Sequence, residues 1–309
     1  MVFKFIDLFA GIGGFHIAMH NAGAKCVFAS EIDRFARLTY EHNMKKISPD
    51  LFENNKFNDD ILKIDPSDIP DHDILCAGFP CQPFSQAGYK RGFNESKQDR
   101  GNMFFVIRDI IKEKRPKAIF LENVRHLEKH DDGKTFAIIK EILEKELNYY
   151  ITYKIVKASD YGLPQHRPRI FIVGFRKEDN YSYAFQFPPK RDLLFTMSDV
   201  LGGVCNKEIG FTLRVGGRSS PIDDRRNWDS YLVDNKVYKI YSKDGKKMMG
   251  LPDDFEFPVS ETQAMKQLGN SVAVTAVEAV SKEIIRHLNN EKRTLSLEIN
   301  QEKLVMQLV

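Results

Sequence analysis

Pro80-Cys81-Gln82-Pro83-Phe84-Ser85 sets a cysteine in a polar, proline-bounded loop just past the apolar run Asp73–Ala77. Cys76, inside that run, fits the ordinary role of a buried core thiol, whereas Cys81 does not. A nucleophilic thiolate needs an accessible site and a lowered pKa, and such a loop offers access. A later run ends in Phe120-Leu121-Glu122-Asn123-Val124, delivering a carboxyl group that suits either proton transfer or the capping of the next element. Gln165-His166-Arg167-Pro168-Arg169 then supplies two guanidiniums, suited to a phosphate, to the polar edge of a base, or to plain surface charge. A thiol and a carboxyl facing one ligand form a constellation for covalent catalysis.

The ligand end is the turn Phe9-Ala10-Gly11-Ile12-Gly13-Gly14, directly after the first apolar run. Glycines there admit a ligand close to the backbone, or merely make a tight strand-to-helix turn. The spacing departs from G-x-G-x-x-G, since Phe15 and His16 follow Gly14, which disfavours a dinucleotide pyrophosphate and a nicotinamide dehydrogenase. About 20 residues on, Glu31 in Ser30-Glu31-Ile32-Asp33 stands where a carboxylate accepts from ribose hydroxyls. Asp59-Asp60-Ile61 offers a partner for an adenine amino group, or a solvated turn.

These residues must be held by strand ends. Strands are predicted at Phe3–Leu8, Cys26–Ser30, Asp73–Ala77, Lys117–Leu121, Ile151–Val156 and Arg169–Phe175. Helices are predicted at about Gly13–Asn21, Arg34–Asn43, Met103–Lys114 and Lys134–Leu147. Alternation of this kind argues an α/β, doubly wound, mostly parallel sheet, Rossmann-like in order. The last two strands lack a helix between them and are expected to pair antiparallel. From Tyr181 to Pro258 turn signals dominate, which marks a small, mostly β and loop second domain. A helix at about Ser271–Leu288 is expected to return to the sheet. The expected division is residues 1–177, 178–258 and 259–309, with the role of the tail 289–309 undetermined.

The 309 residues carry a net charge of +3, which neither demands nor excludes nucleic acid. Four cysteines without a CxxC pair or a histidine cluster argue against zinc and against a disulfide framework. The chain starts straight into a strand and holds no long apolar run, so no signal peptide, no membrane span and a cytoplasmic location are expected.

Phe9-Ala10-Gly11-x-Gly13-Gly14, Pro80-Cys81-Gln82, Glu122-Asn123-Val124, Gln165-x-Arg167-x-Arg169 and Gly269-Asn270-Ser271-Val272 occur in the order of the motifs of DNA cytosine-5 methyltransferases. The chain resembles that family over nearly all of residues 1–177 and 245–288, and is most similar to the compact bacterial enzymes of restriction–modification systems. The resemblance implies the class I S-adenosylmethionine methyltransferase fold, S-adenosyl-L-methionine as cofactor, duplex DNA as substrate, a flipped-out cytosine and no metal. It assigns attack on carbon 6 to Cys81, and support of the exocyclic amine and ring nitrogen 3 to Glu122. Arg167 and Arg169 would steady the carbonyl oxygen at carbon 2 and the position of Cys81. The cofactor would be lined by Phe9, Gly11, Ile12, Gly14, Glu31, Ile32, Asp60, Ile61, Pro80, Met103, Asn270 and Val272. The loop from Ser85 to Gly101 would close over DNA, with Gln82, Ser85, Lys90, Arg91 and Arg100 in contact.

Residues 178–258 would be the target-recognition domain. Its candidate readers are Arg214, Arg218, Arg225, Arg226 and Asn227, since Arg reads guanine and Asn reads adenine in the major groove. Pairing of Asp223 and Asp224 with the neighbouring arginines is the competing reading, and Trp228 reads as a core anchor. A monomer with a paired restriction endonuclease is expected. A transfer-RNA cytosine-5 methyltransferase and a catalytically silent DNA-binding homologue stay open.

Overall fold

The computed structural model describes residues 2–80, 103–179, 185–216 and 219–289. Seven strands form one sheet: β1 Lys4–Leu8, β2 Lys25–Ser30, β3 Phe57–Asn58, β4 Ile74–Gly78, β5 Ala118–Val124, β6 Tyr149–Lys157 and β7 Pro168–Arg176. Their order is β3-β2-β1-β4-β5-β7-β6. Strands β1 to β5 pair in parallel, whereas β7 runs antiparallel to both β5 and β6. The predicted antiparallel closing pair is present, with one addition: β7 inserts between β5 and β6 rather than extending the edge.

The central strands are covered on both faces, so they read as continuous apolar runs instead of alternating ones. Side chains nevertheless alternate between two buried clusters. Phe5, Cys76, Phe120 and Val173 face one side, and Ile6, Leu75, Ile119 and Ile172 face the other. Helices α1 Gly14–Asn21 and α2 Arg34–Met44 contribute Phe15, Met19 and Tyr40 to the first cluster. The short helix α3 Asp50–Glu53 adds Leu51. Helices α4 Met103–Lys114 and α5 Lys134–Glu141 contribute Ile107, Ile110 and Ile139 to the second. The sheet is therefore doubly wound.

The remainder holds a hairpin, β8 Ser230–Val233 with β9 Lys236–Lys239, and three short helices, α6 Met197–Leu201, α7 Ser242–Met248 and α8 Glu261–Asn270. A last helix, α9, spans residues 274–289. Its Val277, Val280, Ile284 and Leu288 join the α1 face of the core, and His287 packs against Phe175 at 4.3 Å between ring centres. The returning helix is present but starts later than expected. Ser271, in extended backbone at φ −71° and ψ 170°, ends α8, a separate helix that the sequence reading missed. Ser271 and the two residues after it are not helical.

Tight packing between β6, β7 and β5 centres on Gly174. A methyl group there would sit 2.6 Å from Ile151 Cδ1 and 2.8 Å from Ile119 Cγ1. Gly174→Ala is expected to destabilise the fold by about 1–3 kcal/mol through overpacking. Calorimetric melting checks this, and an unchanged Tm would show that the sheet has room.

Candidate active site

In a parallel sheet the ends of β1, β2, β4 and β5 fall on one edge, and here β1 is flanked by both β2 and β4, the point where strand order reverses. The chain leaves β1 through a curled turn in which Phe9, Gly11 and Gly13 have φ of 57°, 56° and 93°. Holding a non-glycine residue such as Phe9 in the left-handed region costs about 1–2 kcal/mol. Such strain concentrates where backbone is shaped for a ligand. Among the described residues, chain neighbours aside, no atom lies within 4 Å of the place a Cβ on Gly11 would occupy, so the turn is open on that side. Gly14 is closed instead: its Cβ would fall 2.6 Å from Val272 Cγ2, which seats the stretch after α8 on the start of α1.

Glu31, just past β2, accepts hydrogen bonds from Gly11 N and Asp33 N, both at 2.7 Å. Burial pushes its carboxyl above the usual carboxylate value, and those backbone bonds pull it back. Asp33 caps α2 by accepting from Phe35 N and Ala36 N, and pairs with Lys266 at 3.3 Å. Ile32 beside Glu31 is 60% exposed and Phe9 is half-buried, so apolar surface flanks the carboxylate. A fixed acceptor, an open glycine turn and free apolar surface fit a ribose-bearing ligand such as S-adenosylmethionine. Ile12 and Ile61 are buried, Asp60 caps a 3-10 turn through Leu62 N at 3.1 Å, and Met103 begins α4 half-buried. Pro80 and Asn270 are exposed, the latter at the end of α8.

Beneath the turn lies a polar layer that the sequence reading did not single out. Asp7 is fully buried, and neither carboxylate oxygen has a hydrogen-bond partner among the described residues. Burial, helped by Glu31, raises its pKa well above the usual value. His16 is also buried and meets Tyr40 Oη at 2.6 Å and Ser48 Oγ at 2.8 Å. Burial lowers its imidazole pKa to about 3, so the ring is neutral.

The second half of the site depends on the reversal of β7. Because β7 is antiparallel, its beginning lies at the edge where β5 ends, with Val124 opposite Arg169. Glu122 is two residues before Val124, on the same face, so it is the diagonal neighbour of Arg169. Arg169 Nε lies 2.9 Å from Glu122 Oε1. Burial raises the Glu122 pKa, opposed by Arg169 and then by Arg167. Glu122 also pairs in register with Gly78, the last residue of β4, and Asn123 Nδ2 donates to Phe79 O at 2.9 Å. The chain leading toward position 81 is thereby pinned beside the carboxyl group. Asn123 was quoted within its motif but not given this role; its buried amide on a strand end was the available signal.

Arg167 is a correction to the reading that paired it with Arg169 on the base. It is 1% exposed, and its guanidinium donates to Leu213 O at 3.2 Å, Gly269 O at 2.8 Å and Ser271 O. Its two Nη atoms are thus taken by backbone carbonyls. Cys81, Gln82, Ser85, Lys90, Arg91, Arg100 and Arg218 lie outside the described residues.

The sequence matches the model of the C-5 cytosine-specific DNA methylase family over residues 3–219 and 220–286. The chain belongs to that family. It is 42% identical to the Type II methyltransferase M.SsoII of Shigella sonnei, over 93% of this chain and 81% of that protein. It is 36% identical to the Type II methyltransferase M.HhaI of Haemophilus parahaemolyticus, over 93% of this chain and 95% of that one. Among solved structures, an Entamoeba histolytica methyltransferase superposes with a TM-score of 0.67 at 17% identity, covering 94% of this chain and 99% of the other. As a DNA cytosine-5 methyltransferase of restriction–modification type, it must also read DNA. Among the described residues no helix is long and apolar enough to cross a membrane, and no cluster of His, Cys, Asp or Glu suits a metal.

The expected readers behave differently from one another. Arg214 and Arg225 are exposed. Arg226 is held by Asp224, with Nη2 to Oδ2 at 2.7 Å, and this pairing lowers the Asp224 carboxyl to about 2. Asn227 is a correction: it is buried, donates to Ser230 O at 2.9 Å and accepts from Ser230 N at 3.0 Å, closing the turn into β8. Its amide is spent on backbone, so it faces no base. Trp228 is the core anchor expected, 1% exposed and donating to Gly216 O at 3.0 Å.

Asn227→Ala should leave the buried Ser230 N–H unpaired and cost about 1–3 kcal/mol, while Arg225→Ala should stay within about 0.5 kcal/mol of wild type. Urea unfolding of both variants checks the contrast. Equal stabilities would mean that Asn227 is free after all.

Proposed function

We propose that the protein transfers a methyl group to carbon 5 of a cytosine flipped out of a specific short duplex DNA sequence, through a covalent bond between Cys81 and carbon 6. The observation that carries this reading is the Glu122–Arg169 pair at 2.9 Å, set at the sheet edge beside the end of β4 and two strands from the glycine turn after β1. S-adenosylmethionine, when bound, supplies an electrophilic methyl group. The residues fitted to hold it are Glu31 on the ribose, and Phe9, Gly11, Ile12, Ile32, Ile61 and Val272 around it. Asp60, Gly14, Pro80, Met103 and Asn270 complete that lining.

A base within a duplex stack cannot be reached from both faces, so extrusion, at a few kcal/mol, precedes chemistry. The Cys81 thiolate forms a bond to carbon 6 while Glu122 gives its proton to ring nitrogen 3. The electron pair of the carbon 5–carbon 6 double bond then lies in a neutral enamine, nucleophilic at carbon 5. After carbon 5 has gained the methyl group, it loses its proton to solvent, the Cys81–carbon 6 bond breaks, and the double bond re-forms. Nitrogen 3 returns its proton to Glu122. Arg169 has Nε on Glu122 and Nη1 on Pro168 O, and Nη2, without a hydrogen bond among the described residues, would serve the carbonyl oxygen at carbon 2. Burial favours the protonated Glu122 that this sequence requires. Residues 178–258 read DNA, with Arg214, Arg218 and Arg225 as candidates, and Gln82, Ser85, Lys90, Arg91 and Arg100 meet the displaced strand or phosphates. We further read the protein as a cytoplasmic monomer that protects host DNA against a paired endonuclease.

Duplex DNA carrying 5-fluorocytosine at the methylated position should trap wild-type protein in a complex that survives denaturing electrophoresis, and Cys81→Ser should abolish both trapping and turnover. Turnover by Cys81→Ser would refute the mechanism. Glu122 must be protonated, and its raised pKa keeps it so to a higher pH than a free glutamate. Activity should therefore fall as pH rises through that pKa. Glu122→Gln, which cannot pass a proton to nitrogen 3, should be at least about 100-fold slower and lose this alkaline limb. A pH–rate profile unchanged in shape in Glu122→Gln would count against the role.

A further inference from the structure

The stretch before β7 is stitched to three segments far away in sequence, at Gly210–Leu213, Met248 and Gly269–Ser271. Gly210 N donates to Pro164 O at 2.9 Å, and His166 N donates to Gly210 O at 3.0 Å. Gln165, fully buried, accepts from Leu213 N at 3.1 Å and donates to Met248 O at 3.0 Å. Arg167 completes the seam and extends it, since one guanidinium bonds Leu213 O, Gly269 O and Ser271 O. Leu213 adjoins exposed Arg214, and Gly269 and Ser271 bracket Asn270 and precede Val272. The first and third of these segments also touch directly. A Cβ on Gly269 would fall 2.6 Å from the carbonyl carbon of Arg214 and 2.7 Å from Val215 N.

We propose that Arg167 is a positioning residue that couples DNA engagement at Arg214 to the shape of the cofactor site at Asn270 and Val272. This rests on the reading of those two segments given under the proposed function. A displacement of the Leu213–Val215 backbone on DNA has two routes to residues 269–272: the shared guanidinium and the Gly269 contact. The first runs through a guanidinium that is 1% exposed and bonded to backbone carbonyls on both sides, and the second is a close approach of backbone to backbone. Lysine cannot replace Arg167, because an ammonium is a single point donor and lacks the planar fork that spans separate carbonyls. Coupling of this kind is reciprocal: bound cofactor must tighten DNA as much as DNA tightens cofactor.

The test is equilibrium binding of S-adenosylhomocysteine, by calorimetry, to the full chain alone, with a short duplex bearing the sequence that methylation mapping identifies, and with a scrambled duplex. The mapped duplex should tighten binding to wild type by about tenfold, a typical strength for coupled sites. Arg167→Lys and Gly269→Ala should each reduce that tightening to about twofold, while DNA-free binding shifts less than the tightening lost. Circular dichroism establishes that each variant is folded; if Arg167→Lys is not, Gly269→Ala decides alone. Full tightening in a folded variant overturns the proposal, and so does its absence in wild type that still methylates the duplex. Failure of wild type to methylate the mapped duplex at all would instead sink the functional reading.

Discussion

A carboxyl group buried at a sheet edge must either find a cation or give up its charge, and the site is built around that constraint. Glu122 does some of each: Arg169 lies 2.9 Å away, while burial still raises its pKa. A carboxyl group held with a cation beside it and its pKa raised by burial is suited to share a proton with a ring nitrogen. The arrangement exists only because one strand of an otherwise parallel sheet runs backward. Had β7 been parallel to β5, Arg169 at its start would sit at the opposite edge, about 20 Å away along a strand of this length. The hairpin β6–β7 thus sets the Glu122–Arg169 pair as much as it builds the core.

The cofactor half obeys a different constraint, that of backbone proximity. Left-handed φ values at Phe9, Gly11 and Gly13 curl the chain, and Glu31 ties the curl to β2 by accepting from Gly11 N. Beneath this turn burial raises the pKa of both Asp7 and Glu31, and each has an acidic neighbour that adds to it: Glu31 for Asp7, and Asp33 for Glu31. Like-charged carboxyl groups resist ionising together, and a cationic ligand relieves that resistance. A sulfonium donor carries the charge suited to this setting. The neutral His16, locked between Tyr40 and Ser48, gives the start of α1 a rigid polar support without adding a competing positive charge.

The fold was legible because buried parallel strands are unmistakable apolar runs and their turns carry glycine. The ends of β1, β2, β4 and β5 followed from the same pattern, and with them the placement of Glu31 and Glu122. What escaped was decided by tertiary contacts. Arg167 and Arg169 look alike in sequence, yet Pro168 starts β7 between them, and only Arg169 lies in the strand opposite Val124. Asn227 carries the same amide whether it reads adenine or closes a turn, and the hydrogen bonds with Ser230 choose the turn. The helix α8 escaped because its end merges with Gly269-Asn270-Ser271, which reads as loop. The two-residue strand β3 is too short to have a periodicity at all.

Arg167 ties the segments that follow the sheet in sequence to the start of β7. A fully buried guanidinium is unfavourable unless its donors are met, and here carbonyls from two distant stretches meet its two Nη atoms, while Nε has no partner among the described residues. Removing any one stretch would expose or strand a buried charge, which costs more than an ordinary broken hydrogen bond. The segment around Leu213 and the Gly269–Ser271 segment are therefore held to β7 cooperatively, through one buried guanidinium. One structural element thus serves two ends: the residues just before β7 organise both segments, and the first residues of β7 hold the Glu122 carboxyl group.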